Sequence, residues 1–267
     1  MTRRVALVVA YDGAAFHGFQ FQDGDIATVQ RDLERAIARV ADHDISLTCA
    51  GRTDTGVHAT HQVIHFDTEV SRPAEAWLRG TNRYLPETVS VHWAGEVPGD
   101  FDARFSATAR RYVYLIDNAP VRSALMTGSI TWQPRKLDAR LMHAGAQYLL
   151  GEHDFSSFRA ASCQSRSPVR DMQRIDVSRR GELVVVDLTA SAFLHHMVRN
   201  IVGTLYETGL GRHSPEWIGE VLAARDRTRA GTTARPDGLY LVDVQYPDAF
   251  GVPRGPDLPH LYSYISS

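Results

Sequence analysis

The sequence predicts an α+β protein in which mostly antiparallel strands form a sheet with helices packed on one side. Three observations predict it. Short β-branched runs recur along the chain, each closed by a turn rich in Gly or Asp. Two stretches with helical apolar spacing lie between the strands of the first half, and the second half repeats that plan. The balance of 43% apolar to 22% charged residues over 267 positions suits an ordinary globular chain, long enough for one large domain or two small ones.

Taken in order, residues 4–11 (RVALVVAY) read as a buried strand ending in the turn Asp12-Gly13. Residues 13–30, rich in Gly and aromatics, read as a loop. Thr28 is the expected N-cap of a helix carrying Leu33, Ile37 and Val40. Strands follow at 45–51 and 61–69, a helix opened by Pro73, and a strand at 89–97. In the second half, 110–118 is a strand and 138–150 a helix. A hairpin over 174–191 turns at Arg180-Gly181, and a helix runs from 194 to 208. Ser214-Pro215-Glu216 opens another helix, and 239–246 is the last strand. The expected division is an N-terminal domain over 1–105, a C-terminal domain over 106–247 and a proline-rich tail over 248–267.

No apolar run is long enough for a membrane helix. The N-terminal apolar stretch reads as a strand and not as an export signal, so a cytoplasmic location is expected. Cys49 and Cys163 make no disulfide framework and no C-x-x-C pair, and are expected as reduced thiols. The net charge of −2 does not mark a nucleic-acid binder. Lys136 is the sole lysine, so nearly all basic residues are arginines, which suit phosphate forks and base stacking. Genomic base composition is the better explanation of the overall excess, so only the placement of arginines carries weight.

Four segments could carry chemistry. Gly51-Arg52-Thr53-Asp54-Thr55-Gly56-Val57-His58-Ala59 sets a charged pair in a tight turn after an apolar strand. Its Asp54 suits a rigidly held catalytic carboxylate, or simply an Asx-turn. Phe101-Asp102-Ala103-Arg104-Phe105, followed by Arg110-Arg111-Tyr112, mixes arginines with aromatics as a phosphate-and-base surface does, or as a strand with exposed arginines does. Residues 159–180 hold six arginines against Asp171 and Asp176, and include the polar loop Ser162-Cys163-Gln164-Ser165-Arg166; a solvated face is the plainer alternative. In Phe193–Asn200, Arg199 lies in an apolar helix start and needs a partner if buried, for which Asp54 is suitable. No metal site is expected. His195 and His196 are adjacent on a helix, and His58, His61 and His65 fall on a turn and strand where helical spacing has no meaning.

Together these blocks resemble the TruA-type tRNA pseudouridine synthases. Gly51–Ala59 is similar to the family's catalytic motif, and Tyr11-Asp12-Gly13-x-x-Phe16-x-Gly18-x-Gln20-x-Gln22 to its N-terminal signature. Ala109–Tyr112, Phe155–Arg159, Cys163–Arg166, Phe193–Asn200 and Gly238–Val242 resemble further blocks in their usual order. The resemblance implies two similar RRM-like (ferredoxin-like) α/β domains in a continuous sheet, a basic cleft between them, a homodimer, no cofactor, and conversion of uridine to pseudouridine at positions 38, 39 and 40 of the tRNA anticodon stem-loop. It implies Asp54 as catalytic nucleophile, Arg199 as its partner and Tyr112 packed on the target base. Arg52 would hold the nucleotide out of the stack, and Leu239 would form a pocket wall. Phe101, Asp102, Ala103, Arg104, Phe105, Arg110 and Ser162, Cys163, Gln164, Ser165, Arg166 fall where the family contacts RNA. Many members carry Trp and Arg where this chain has Phe19 and Phe21; the first change keeps a stacking surface, and the second removes a phosphate contact. The competing classes are a non-catalytic RNA-binding protein of the same fold and an aspartate-dependent hydrolase.

Overall fold

The computed structural model describes residues 2–256 and 259. The chain folds as two compact units: residues up to Thr108 with those from Tyr240 onward, and Ala109–Leu239.

In the first unit, β1 (Arg3–Tyr11) runs antiparallel between β3 (His58–Thr68) and β4 (Val89–Val97). A strand flanked on both edges and covered on both faces must be apolar throughout, and Val5 to Val9 are all buried. β2 (Leu47–Cys49) lies antiparallel to β3, and β10 (Leu239–Gln245) runs parallel to β3 through Tyr240 and Leu241. Helices α1 (Val29–Ala41) and α2 (Ala74–Tyr84) cover one face, where Trp77 meets Phe66 edge-on at 5.3 Å. The other face of β3, bearing His61 and His65, is covered by the loop after β4 and the segment after β10. Phe101 packs there on His65 (5.9 Å), Tyr246 (5.0 Å) and Phe250 (5.2 Å).

In the second unit the antiparallel order is β5 (Ala109–Asp117), β9 (Leu183–Ala190), β8 (Val169–Arg180) and β7 (Gly151–Asp154), with the short β6 (Thr131–Trp132) parallel to β5. Asp138 caps α3 (Ala139–Ala146) by accepting from the Arg140 and Leu141 amides. α4 (Met197–Gly209) is buried along most of its length, and α5 (Trp217–Ala224) follows.

Several elements depart from expectation for physical reasons. Thr28 holds the N-cap position of α1, but its buried hydroxyl makes no cap bond. The first helical amides donate instead to backbone, Val29 to the Gly18 carbonyl (3.3 Å) and Gln30 to that of Phe19 (2.9 Å). β3 starts at His58, directly after the Asp54 turn. α4 starts only at Met197, because His196 is left-handed (φ +60) and cannot continue a helix backward. Ser214-Pro215-Glu216 forms a turn before α5 and not its first helical residues, with the Trp217 amide donating to the Ser214 carbonyl (3.2 Å). β6 and β7 are additional. From Tyr240 the last strand belongs with the first unit, whereas the sequence predicts a second domain running through 247. The expected tail over 248–267 begins with a one-turn 3-10 helix at Asp248–Phe250, and most of its remainder lies outside the described residues. Among the described residues no helix is long and apolar enough to cross a membrane.

Candidate active site

Asp54 opens a four-residue turn in which its carbonyl accepts the Val57 amide (3.1 Å). Gly56 is the third residue of that turn with φ +78, the place where a type II turn requires glycine. Thr53 points inward and is buried, with its hydroxyl 2.8 Å from that of Tyr11. Gln62 grips the start of the loop, donating to the Gly51 carbonyl (2.6 Å) and accepting the Gly51 amide (3.4 Å). It also donates to the Tyr11 oxygen (3.3 Å). The buried amide and hydroxyls are therefore satisfied by one another, and they fix the backbone on the inner side of Asp54.

The N-terminal segment closes the other side. A Cβ at Gly13 would collide with the Val57 carbonyl oxygen, so only glycine lets the two backbones meet. Gly18 lies close against Thr53 and Asp54 with φ +94, a backbone conformation that favours glycine, and the Phe19 amide donates to the Thr53 carbonyl (3.1 Å). His58 accepts the Gly13 amide on Nδ1 (3.1 Å) and stacks on Tyr240 at 4.6 Å. The signature Tyr11-Asp12-Gly13…Gly18-Phe19 is thus the cradle of the Asp54 turn. Sequence reasoning gives Phe19 a stacking role and the other signature residues none; the signal for the cradle is the pair of glycines at the loop's start and middle.

Arg52 is exposed beside this turn, while Asp54 is half-buried. Burial pushes the Cys49 thiol up to about 11, against the opposing pull of the Arg52 and Arg104 guanidinium groups. Both cations therefore act on one neighbourhood of this unit, and Cys49 stays a neutral thiol there.

The segment 101–105 divides. Phe101 and Ala103 are fully buried, so neither side chain is available to RNA, a correction to the reading of all five as contacts. Phe101 is the core of the cover over His65. Asp102 accepts the Arg104 and Phe105 amides (2.8 Å each), which turns the chain outward. Phe105 is 79% exposed, with the Arg104 guanidinium 5.2 Å from its ring centre. Phe19 is buried too and offers no stacking surface, again contrary to expectation. Phe21 is exposed, with the Arg31 guanidinium over its ring at 4.9 Å.

In the second unit, Tyr112 is buried on β5 with its ring edge-on to Phe193 (5.0 Å). Arg110 is only 8% exposed and donates to the Ser191 carbonyl (3.1 Å). Arg111 forms a two-pronged pair with Asp187 (2.8 Å and 2.8 Å). Arg110 is buried and Arg111 half-buried, whereas Arg104 is exposed, which corrects the picture of an exposed arginine cluster. Arg199, in the first turn of α4, donates its Nε–H to the Ala234 carbonyl (2.8 Å), and the Ala234 amide returns a bond to the Arg199 carbonyl (3.0 Å). Leu239 is buried at the start of β10.

The loop 162–166 is laced from beneath by Arg159, which donates to the carbonyls of Cys163 (2.6 Å) and Ser165 (2.8 Å). Arg170 bonds the Ser165 hydroxyl (2.8 Å), and Ser162 pairs with His195 Nδ1 (3.1 Å). Ser162, Gln164 and Arg166 are left exposed. Burial pushes the Cys163 thiol up, but backbone hydrogen bonds from Ser165 and His195 and the Arg159 guanidinium together hold it below its ordinary value. Arg159 is a structural determinant that sequence reasoning left within a general arginine excess.

The comparisons with known proteins agree with one another. A family model described as tRNA pseudouridine synthase matches residues 7–106 and 146–247. A tRNA pseudouridine synthase A from Legionella pneumophila (strain Corby) is 53% identical over 249 residues, covering 93% of this chain and 95% of the relative. Its counterpart from Pseudoalteromonas atlantica is 53% identical over 251 residues, covering 94% and 95%. That from Vibrio campbellii is 52% identical over 253 residues, covering 95% and 96%. With both matched stretches spanning the Asp54 turn, its cradle and the Arg199 helix, the chain belongs to the tRNA pseudouridine synthase family.

Proposed function

We propose that this isomerase converts uridine to pseudouridine at positions 38, 39 and 40 of the tRNA anticodon stem-loop, with Asp54 as catalytic nucleophile. The observation that carries the reading is the Asp54 turn itself. A half-buried carboxylate stands on a backbone fixed from both sides, as a group that must meet a reacting atom requires.

The reaction breaks N1–C1′, turns the base and forms C5–C1′, so every heavy atom of the base is kept, the C5 hydrogen leaves to solvent as a proton and N1 takes up a proton. A stacked base is out of reach and must be extruded, at a cost of roughly a few kcal/mol. Burial of the uracil against Tyr112 and Leu239 offsets that cost, and Arg52 holds the nucleotide out. Asp54 acts at C6, at C1′, or by promoting elimination to a glycal. Each route uses an ionised carboxylate, and Arg199 supplies the opposing charge. Tyr112 takes the C5 proton. The side chains that reach RNA are then Arg104, Phe105, Ser162, Gln164 and Arg166, the exposed members of the two expected segments. Local arginines suffice to hold phosphates despite a net charge of −2. The enzyme works as a cytoplasmic homodimer.

The test is tritium release from undermodified tRNA labelled at C5 of uridine. Asp54→Ala is expected to lose at least about 10³-fold in rate while keeping its fold and its salt-sensitive tRNA binding. Full activity in this variant overturns the reading. Binding without release by the wild type would indicate a bare RNA binder, and no tRNA binding at all a hydrolase.

A further inference from the structure

Tyr114 lies two residues beyond Tyr112 on β5 and is fully buried, as are Val113, Leu115 and Ile116 along the same strand. An apolar strand interior would accept phenylalanine there, so a hydroxyl that is kept must be bonded. It donates to the Arg235 carbonyl (2.7 Å) and lies 2.7 Å from Thr131 Oγ1, which is 2.8 Å from the Asp237 carboxylate. Burial, the largest cause, raises the phenol well above its ordinary range, so it remains a neutral donor at any working pH.

Arg235 follows Ala234, the residue whose carbonyl takes the Arg199 Nε–H. The segment 230–239 is a strap between α4 and β5. At one end Gly203 lets it approach α4, since a Cβ there would collide with the Thr232 carbonyl. At the other end the Leu115 amide donates to the Gly238 carbonyl (2.8 Å). Between these ends, the Tyr114 hydroxyl holds the Arg235 carbonyl, one peptide beyond the Ala234 carbonyl that takes the Arg199 Nε–H. A guanidinium is planar, so fixing its Nε–H fixes the plane of the two Nη groups and the direction in which they point.

We propose that the Tyr114 hydroxyl is a positioning group for Arg199, acting through the 230–239 strap; this rests on the reading of Arg199 as the partner of the Asp54 carboxylate. The strap turns a helix-borne arginine with several free torsions into an oriented fork. Loss of the hydroxyl loosens the Arg235 carbonyl next to Ala234, whose amide stays on the Arg199 backbone carbonyl, so the Ala234 carbonyl can tilt and the Arg199 charge is misaimed although tRNA still binds.

The experiment is steady-state tritium release by Tyr114→Phe, with circular dichroism as the check of folding. The expected result is a fall in kcat of about ten-fold with KM for tRNA unchanged. In an Arg199→Lys background, which lacks the Nε–H anchor, the same change should alter the rate less than about two-fold, measured with enzyme in excess. An unchanged kcat, a loss confined to KM, or an equal loss in both backgrounds overturns the proposal. If Arg199→Lys is silent, the split between kcat and KM decides. If Tyr114→Phe does not fold, Thr131→Val takes its place, with about a three-fold fall in kcat expected and the same outcomes counting against the proposal. Asp54→Ala is run beside these variants: its activity alone decides the underlying reading, so failure of that reading is distinguishable from failure of the strap.

Discussion

The Asp54 turn and the 230–239 strap are both irregular segments that aim one charged side chain, and they do so in opposite ways. Asp54 is short, so its carboxylate goes where its backbone goes. Rigidity is therefore placed in the backbone, through Gly13, Gly18 and Gly56 and the bonds of the Tyr11 hydroxyl to Thr53 and Gln62. Arg199 is long and its backbone is already fixed by α4. Rigidity is instead placed near the head group, at the Ala234 carbonyl. The entropy to be removed lies in the chain for the one residue and in the side chain for the other.

Paired glycine substitutions should break or confirm this contrast, with the largest effects. In Gly13→Ala the new methyl meets the Val57 carbonyl, and the Asp54 backbone must shift. A loss of about 10²-fold in kcat is expected, with roughly 1–3 kcal/mol of stability. In Gly203→Ala the methyl meets the Thr232 carbonyl. A similar stability loss of about 1–3 kcal/mol is expected, but only about ten-fold in kcat, because a long side chain can partly re-aim. Tritium release and urea unfolding measure both. A larger rate loss in Gly203→Ala would show that the head-group anchor matters more than the backbone cradle.

Tyr11→Phe sharpens the comparison with a smaller effect. It removes the bonds to Thr53 and from Gln62 yet leaves Gln62 on the Gly51 backbone. About 1–3 kcal/mol of stability should be lost, as for two buried hydrogen bonds. The rate should fall a few-fold, less than in Gly13→Ala, because only one side of the cradle is loosened. A rate loss as large as that of Gly13→Ala would place the control of Asp54 in the hydroxyl network and not in the backbone contact.

The same contrast accounts for what was legible in the sequence. Backbone-held features leave marks: glycines at Gly13, Gly18 and Gly56 and a β-branched run before the turn. The main strands and helices were legible for the same reason, their period. Head-group anchors leave none, since any residue has a carbonyl; Ala234 lies in a polar Gly/Pro stretch that reads only as loop. Phe101 and Phe105 are chemically identical and share one short segment, yet one is core and the other surface. No periodicity spans that loop to tell them apart. Arg104 and Arg110 divide likewise, because burial of an arginine depends on a carbonyl or carboxylate far away in sequence. β7 was not expected because Gly151-Glu152-His153-Asp154 is polar and acquires strand geometry only from pairing with β8.

The loop 101–105 is anchored in a third way, by a titratable side chain, and this gives the mildest effect. His65 Nδ1 accepts the Ala103 amide (3.0 Å), which that nitrogen can do only when unprotonated. Burial, followed by the nearby Arg4, lowers its pKa below 6.5, against the opposing pull of Asp102 and Asp67. His61 is lowered as well, first by burial and then by His92, against Asp243 and its bond to Pro253. For a histidine lowered in the folded state, the unfolded chain binds more protons just below 6.5. Its contribution to stability is therefore complete above that pH and declines as pH falls through 6.5 toward the folded value, by no more than about 1.4 kcal/mol per pH unit for each group. His65→Gln keeps an acceptor for the Ala103 amide but cannot titrate. Urea unfolding from pH 7.5 to 5.5 should show a shallower decline in this variant than in the wild type. Equal slopes would mean that the loop bearing Arg104 and Phe105 is held by the packing of Phe101 and not by the imidazole. The loop would then belong with the Asp54 turn as a segment fixed through its core contacts.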